Sequence, residues 1–558
     1  MLLWRVSFFL FKKKDTMANN NSGFSSSFGA IMAAAGSAIG LGNIWRFPYI
    51  CGKYGGGAAL ILYLFFVFFI GMTLLLSELT IGRRTGHTPM KAYEALQPKH
   101  TMWRYVGLAG LITCFLILSI YLVISGWTLN YFWESVSGQL IGVANGDFAG
   151  HFAAFASSPV APVVCLVLFA VLTLVIILGG VQNGIEKVSK ILMPVLLVLV
   201  LVLCVRSLTL PGASKGLAYL FNPDFSKLTW EGVLAILGQA LFSLSVGMGV
   251  MIVYGSYMQK DDNLFKSAMW ITVCDTAIAV LAGVAIFPAV FAFGQDPAGG
   301  PGLVFNVLPV VFNSMGAVGS IVFGGAFFLL LAVAALTSAI SLLEALTAWG
   351  ADYGKKRSLS AILLTIVSCA VAVLAAYSFD GGILNSYKLG DMSLFDWLDK
   401  LTGSYLPPVC ALLTIIFFGW FMKKDSIMDE LSNHGTLPTP WFKVFYSFLA
   451  RFVAPAALLL VLLGSVFQAE FEVSTVLIVI ALVLYFFVLP LGVAYVAKDK
   501  GRKNVLWYFL SIVLTPLFAL LMLIALGDSG EKHRQRLIDD EHIRMKARES
   551  YKSSIAKE

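Results

Sequence analysis

Charge is what this chain has least of. Lysine, arginine, aspartate and glutamate make up 13% of its 558 residues, where soluble domains carry about 25%. Hydrophobic residues reach 58%, more than one aqueous core can hide, so lipid is the solvent for much of the surface. The seven cysteines lie in or beside apolar runs without a CxxC or metal-ligand spacing, and read as small hydrophobes. The six histidines are scattered, with no HExxH pattern. Metal-dependent hydrolysis and nucleotide chemistry thus lack their residues, and no enzyme is indicated. The net charge of +8 does not indicate nucleic acid, because the basic residues sit between apolar segments, where topology and anionic lipid account for them.

What is abundant is apolar runs of bilayer length. Thirteen candidates fall near 26–52, 57–81, 104–137, 160–179, 185–207, 231–257, 265–294, 319–351, 358–377, 397–422, 441–468, 473–497 and 504–527. They are far too long for barrel strands, so an all-α integral membrane protein is expected. Arg83, Arg84, Lys91 and Lys99 follow the second span, and Lys355, Lys356 and Arg357 the eighth, whereas loops 139–158 and 295–318 hold neither lysine nor arginine. A cytoplasmic N-terminus in a cell (inner) membrane fits this bias, with Lys215 and Lys227 as mild exceptions. Residues 1–16 read as an interfacial anchor, a signal-like start, or a stretch upstream of a true start at Met17. A thirteenth span would put the basic tail 528–558 outside, against the same bias.

Two spans carry glycine and small polar residues at mid-depth: Gly36-Ser37-Ala38-Ile39-Gly40-Leu41-Gly42-Asn43 in the first, and Ser243-Leu244-Ser245-Val246-Gly247-Met248-Gly249 in the sixth. Each cluster alone is consistent with close helix packing. Together, in corresponding positions of two five-span halves, they point to broken helices around a transport site. Freed carbonyls suit sodium, and half-helix N-termini suit a carboxylate. Thr337 and Ser338 in the eighth span offer two hydroxyls, which either join such a site or bond their own helix. Asp275, inside an apolar run, is either functional, protonated, or turned to a polar crevice. Glu78 is a second intramembrane acid.

The stretch Gly36 to Ala58 resembles the first-helix signature of the neurotransmitter:sodium symporter family, and SELTIGRRTG (77–86), GIEKVSKILMP (184–194), ALFSLSVGMG (240–249) and ALTSAISLLEA (335–345) are similar to further family stretches. The resemblance runs from about 24 to 497 and points to a bacterial amino-acid transporter. It implies a bundle of two inverted five-span repeats, 24–207 and 208–422, after an N-terminal segment 1–23. Peripheral spans at 423–497 would follow, then a candidate extra span within 498–527 and the tail 528–558.

The resemblance also implies roles. One sodium site would use Ala38, Asn43, Ser243 and Asp275 with the substrate carboxylate, the other Gly36, Ile39, Ala334, Thr337 and Ser338. Substrate would lie among Ser37, Ala38, Gly40, Gly42, Ile117, Tyr121, Phe242, Ser243, Ser245, Met248, Ser338 and Leu342. Monoamine carriers place aspartate where Gly40 stands, so glycine argues for an α-amino acid, whose carboxylate Tyr121 would bind. The apolar lining suggests a hydrophobic side chain. Sodium would be the coupling ion, with no other cofactor. Arg46 would pair with Asp399 or Asp396 as an outer gate, Glu78 would bond the backbone of the broken first helix, and the fifth span would unwind between Gly184 and Pro194. Family members often carry arginine and tryptophan before the first helix. Here the stretch reads Asn21-Ser22-Gly23-Phe24, which leaves Asp352 to an inner gate built differently, with Lys12 to Lys14 as candidates. In animal members chloride lies near groups matching Tyr63, Gln239 and Ser243, and the fixed charge of Asp275 would replace it.

Overall fold

The computed structural model describes residues 23–99, 101–143, 147–297, 303–388, 390–433, 446–467, 489–534 and 541. Asn21, Ser22, Lys12 to Lys14 and most of the expected span 473–497 and tail lie outside them. The chain divides into two units, one of residues 1–437 and 454–470, the other of 438–453 and 471–558.

The larger unit is helical. Across the described residues nine helices are long and apolar enough to cross a membrane, and the bent pair Ser27–Ala38 and Gly42–Lys53 makes a tenth. Local chemistry sets the ends. Ser26, Thr229 and Asn263 cap helices by accepting from Gly29, Gly232 and Lys266 amides. Gly86 closes Met72–Thr85 in the left-handed region.

Burial separates centre from rim. The helices of the third span (Arg104–Val136) and the eighth (Gly316–Asp352) are 72% and 78% buried over their apolar windows, against 33% for Ala161–Leu178 and Val181–Leu208. The latter two turn Val164, Leu168, Val175, Val198, Leu201 and Val205 outward, the pattern of lipid-facing helices. The first span packs on the eighth along Ser27–Ala38, and the sixth meets it along Val250–Tyr257.

Both expected breaks are present. Ile39 leaves the first helix with extended geometry (φ −76, ψ 97), and the chain resumes through a π-helical turn at Gly42–Arg46, bent by 44°. The sixth span stops after Trp230–Ser243 and resumes at Val250–Tyr257.

Two expectations change. The fifth span is helical from Val181 to Leu208, with a π turn at Val181–Glu186 and Pro194 inside the helix. Gly184 is packed there: a Cβ would collide with the Ile176 carbonyl, so glycine serves close contact with the fourth span rather than loosening a turn. In the smaller unit, 504–527 is not one helix. It forms Asn504–Leu514 and Pro516–Leu526, separated by Thr515 at φ +73, because Pro516 has no amide to continue the first helix.

Candidate functional site

The breaks bring three groups of residues together. The first is a carboxylate cluster. Asn43 Nδ2 donates to Asp275 Oδ1 at 2.8 Å and to Ser243 Oγ at 3.0 Å. Ser243 Oγ donates to both Asp275 oxygens at 2.8 Å, and Tyr63 Oη to Asp275 Oδ2 at 3.3 Å. Asp275 and Asn43 are fully buried. A carboxylate in that position is stable only with dense hydrogen bonding or a cation, and Asn43, Ser243 and Tyr63 supply the hydrogen bonds. Asn43 Oδ1 also accepts from the Gly40 amide at 3.0 Å, across the first break.

The second group is neutral. Thr337 Oγ1 donates to the Ala334 carbonyl at 3.0 Å and reaches the Ile39 carbonyl at 3.4 Å, while Ser338 Oγ donates to the Ser37 carbonyl at 3.0 Å. Gly36 packs against Thr337, 3.5 Å from its Cβ by a Cβ built on the glycine. The two hydroxyls therefore do both things open to them: Thr337 bonds its own helix, and both address the first-span carbonyls. Oxygen donors of this kind suit a hard cation.

Between these groups lies a cavity of about 20 Å³, lined by Ser37, Ala38, Gly40, Gly42, Ile117, Tyr121, Phe242, Ser245, Met248, Ser338 and Leu342. Every residue expected around a substrate is there except Ser243, which faces Asp275 instead. The space holds about one water, so an amino acid enters only when the walls separate. Gly40 is at the tightest point, where a Cβ would collide with Ser338 Oγ and lie 2.6 Å from Tyr121 Oη. Tyr121 Oη accepts from the Leu41 amide at 2.9 Å. Ser341 also belongs here, accepting from Ser37 Oγ at 2.7 Å. Its position three residues after Ser338, on the same helix face, was the available signal.

Two expected partnerships differ, those of Glu78 and Arg46. Glu78 bonds the sixth span rather than the first: its Oε1 accepts from the Gly247 amide at 2.7 Å. That amide is free because Gly247 precedes the second half-helix in left-handed geometry, and a carboxylate is favourable at such an N-terminus. Arg46 forms no direct ion pair with Asp399 or Asp396 among the described residues. Its Nη1 donates to the Gly403 carbonyl at 3.0 Å, and Gly403 leaves room because a Cβ would collide with the guanidinium. Arg46 and Asp399 still line one small cavity, whereas Asp396 accepts from Ser393 Oγ at 2.7 Å. Asp352 is held by the loop after the second span, accepting from the Thr88 amide at 3.0 Å and Thr88 Oγ1 at 2.7 Å, with His87 Nδ1 at 3.1 Å. Before the first helix, Phe24 is buried edge-on against Tyr254 and Tyr257.

Three buried carboxylates here are each paired with a cation. Arg357 forks onto Glu344 with both contacts at 2.6 Å, and Tyr257 Oη donates to the same carboxylate at 2.6 Å. Glu186 accepts from the Ser25 amide and Lys190 at 2.7 Å each, and Arg83 Nε donates to Glu430 at 2.7 Å. Arg83, Glu186 and Glu344 lie in the recognisable stretches, but only folding reveals their partners.

The model of the sodium:neurotransmitter symporter family matches residues 22–144 and 159–476. An uncharacterized sodium-dependent transporter of Bacillus subtilis, YhdH, is 38% identical over 442 residues, covering 79% of this chain and 97% of its own. Another, from Methanocaldococcus jannaschii, is 32% identical over 462 residues, covering 78% and 88%. Among solved structures, that of MhsT in complex with L-phenylalanine matches with a TM-score of 0.75 and 42% identity, covering 80% of this chain and all of that one.

Proposed function

Because the chain belongs to the sodium:neurotransmitter symporter family, we propose that it couples sodium entry to uptake of an α-amino acid with a hydrophobic side chain. The observation that carries this is the placement of the Asp275 cluster and the Thr337–Ser338 pair on either side of a cavity walled by Ile117, Phe242, Met248 and Leu342. In this reading Ala38, Asn43, Ser243 and Asp275 hold one sodium with the substrate carboxylate. Gly36, Ile39, Ala334, Thr337 and Ser338 hold the second. Tyr121 and the first-break amides bind the carboxylate, and the four apolar side chains surround the rest. Solved MhsT holds L-phenylalanine, which supports an aromatic or large aliphatic substrate. The repeats are 24–207 and 208–422, with the N-terminus cytoplasmic in the cell membrane. Arg46 with Asp399 closes the outer side. At the inner side the 87–91 loop on Asp352 and the Arg357–Glu344 pair take the place of the family's N-terminal arginine.

Purified protein in liposomes, given a panel of amino acids and an inward sodium gradient, tests this. Uptake of hydrophobic amino acids that collapses without sodium is expected. Conductive sodium flux that needs no amino acid would replace the symporter by a channel. Asp275 also places a fixed negative charge beside the first sodium, so uptake should be equal in chloride and gluconate. Arrest on chloride withdrawal would remove Asp275 as the compensating charge.

A further inference from the structure

The smaller unit resolves the odd span count in an unexpected way. A single helix over 504–526 would separate its ends by about 34 Å at 1.5 Å per residue. Instead the ends meet. Arg502 Nη2 donates to the Leu526 carbonyl at 2.9 Å and its Nε to the Gly527 carbonyl at 3.3 Å. The Ser529 amide donates to the Lys500 carbonyl at 2.8 Å, and Lys500 Nζ lies 3.9 Å from Asp528. The chain thus goes out along Asn504–Leu514, turns at Thr515-Pro516, where Thr515 caps the next helix by accepting from the Phe518 amide, and returns along Pro516–Leu526.

Neither helix has a polar face to give to water. The inner faces bury Trp507, Ala519 and Leu523 against Val493, Val496 and Ala497. The outer faces expose Phe509, Leu517, Phe518, Leu521 and Ile524, with Leu517 at 69%. A helix apolar all round belongs in protein core or lipid, not on a membrane surface, which needs a polar side. Each helix has eleven residues, about 16 Å, or half of a hydrocarbon core of about 30 Å. Cations cluster only at the open end, at Lys500, Arg502, Lys503, Lys532 and Arg534, the arrangement that meets anionic headgroups.

We infer that residues 504–527 are a re-entrant hairpin seated in the lipid of one leaflet, which puts the tail from 528 onward on the same side as the basic turn 498–503. This removes the topological conflict. Lys532 and Arg534 then fall on the side of the basic turn 498–503, as the charge bias requires. The Arg502 fork onto the last carbonyls of the second helix is the clasp.

Cysteine accessibility in the full-length chain decides it, with the wild-type chain and its seven native cysteines as background. Asn504→Cys and Gly530→Cys mark the two ends; both positions are exposed, and nothing lies within 4 Å of a Cβ at 530. A membrane-impermeant maleimide should label both in spheroplasts or both in inverted vesicles. Labelling from opposite sides makes 504–527 a crossing span and overturns the inference. Leu517→Cys, at the turn, should resist the impermeant reagent from either side and react with a permeant one. Impermeant labelling there would mean the hairpin is in water, and cross-linking between two copies through Cys at 517 would mean that protein, not lipid, covers this face; either result overturns lipid seating. If a variant fails to accumulate, trypsin on one side of sealed vesicles serves for the unmodified chain. It should cut after both Lys503 and Arg534, or after neither, and cutting after one from each side refutes the hairpin.

Discussion

The first span breaks without a left-handed residue, whereas the sixth uses three: Ser245 at φ +54, Gly247 at +78 and Gly249 at +77. The first break is a bend held by side chains from elsewhere, with Tyr121 on the Leu41 amide and Asn43 on the Gly40 amide. The sixth is fixed by its own backbone geometry, and Glu78 fills the amide it frees. Both expose backbone groups at mid-depth, but one is secured by interactions and the other by conformation. Substitutions should therefore act differently, on ligand affinity at the first break and on the folded state at the sixth.

The largest effect should come from Gly247→Ala. Left-handed geometry costs an L-residue about 1–2 kcal/mol, and a Cβ there would also collide with the Pro407 carbonyl. Uptake should fall by more than about tenfold, the equivalent of 1.4 kcal/mol, with a lower melting temperature in detergent. A variant that melts normally would show that the sixth break is not conformationally fixed. Next is Asp275→Asn, which keeps the shape of the cluster and removes its charge. Hydrogen bonds to charged groups are worth about 1.5–3 kcal/mol, so the sodium concentration for half-maximal uptake should rise about tenfold or more, and added chloride should restore part of the loss. An unchanged sodium dependence would take Asp275 out of the site.

Smaller again is the pair Thr337→Ala with Ser338→Ala. Neutral hydrogen bonds contribute about 0.5–1.5 kcal/mol each, so sodium dependence should weaken several-fold while the folded protein survives. If the double variant matches Asp275→Asn, the charged and neutral clusters do not differ as their chemistry suggests. The smallest effect belongs to Gly42→Ala at the first break, where a Cβ would meet the Phe242 ring edge at 3.1 Å and Gln239 Nε2 at an ordinary 3.6 Å. Substrate affinity should drop modestly with unchanged thermal stability. A loss as large as that from Gly247→Ala would erase the contrast between the breaks.

Much of this site is legible in the chain because polar residues at membrane depth are rare enough to be conspicuous. The glycine clusters, Asp275 and the Thr337-Ser338 pair each stand out against apolar neighbours, and of these Gly40, Gly42 and Ser338 line the cavity. Partnerships are less legible. Glu78 is visible as an intramembrane acid, but only backbone geometry shows that the free amide is that of Gly247. Arg46 bonds the Gly403 carbonyl rather than either candidate aspartate. The hairpin at Thr515-Pro516 was hidden for another reason: residues that face lipid are apolar whether the chain crosses or turns back, so hydropathy reads both as a span. The proline in mid-run was the one local sign.

Asn43 touches two things at once: its amide nitrogen bonds Asp275, and its oxygen accepts from the amide of Gly40, which walls the substrate cavity. With the ion and substrate sites assigned as proposed, one side chain ties their free energies together. Linkage then requires symmetry. Whatever factor sodium adds to the affinity for amino acid, the amino acid adds to the affinity for sodium. A change at Asn43 that uncouples the sites must therefore shrink both factors equally, and equilibrium titrations of each ligand, with and without the other, can be compared number for number.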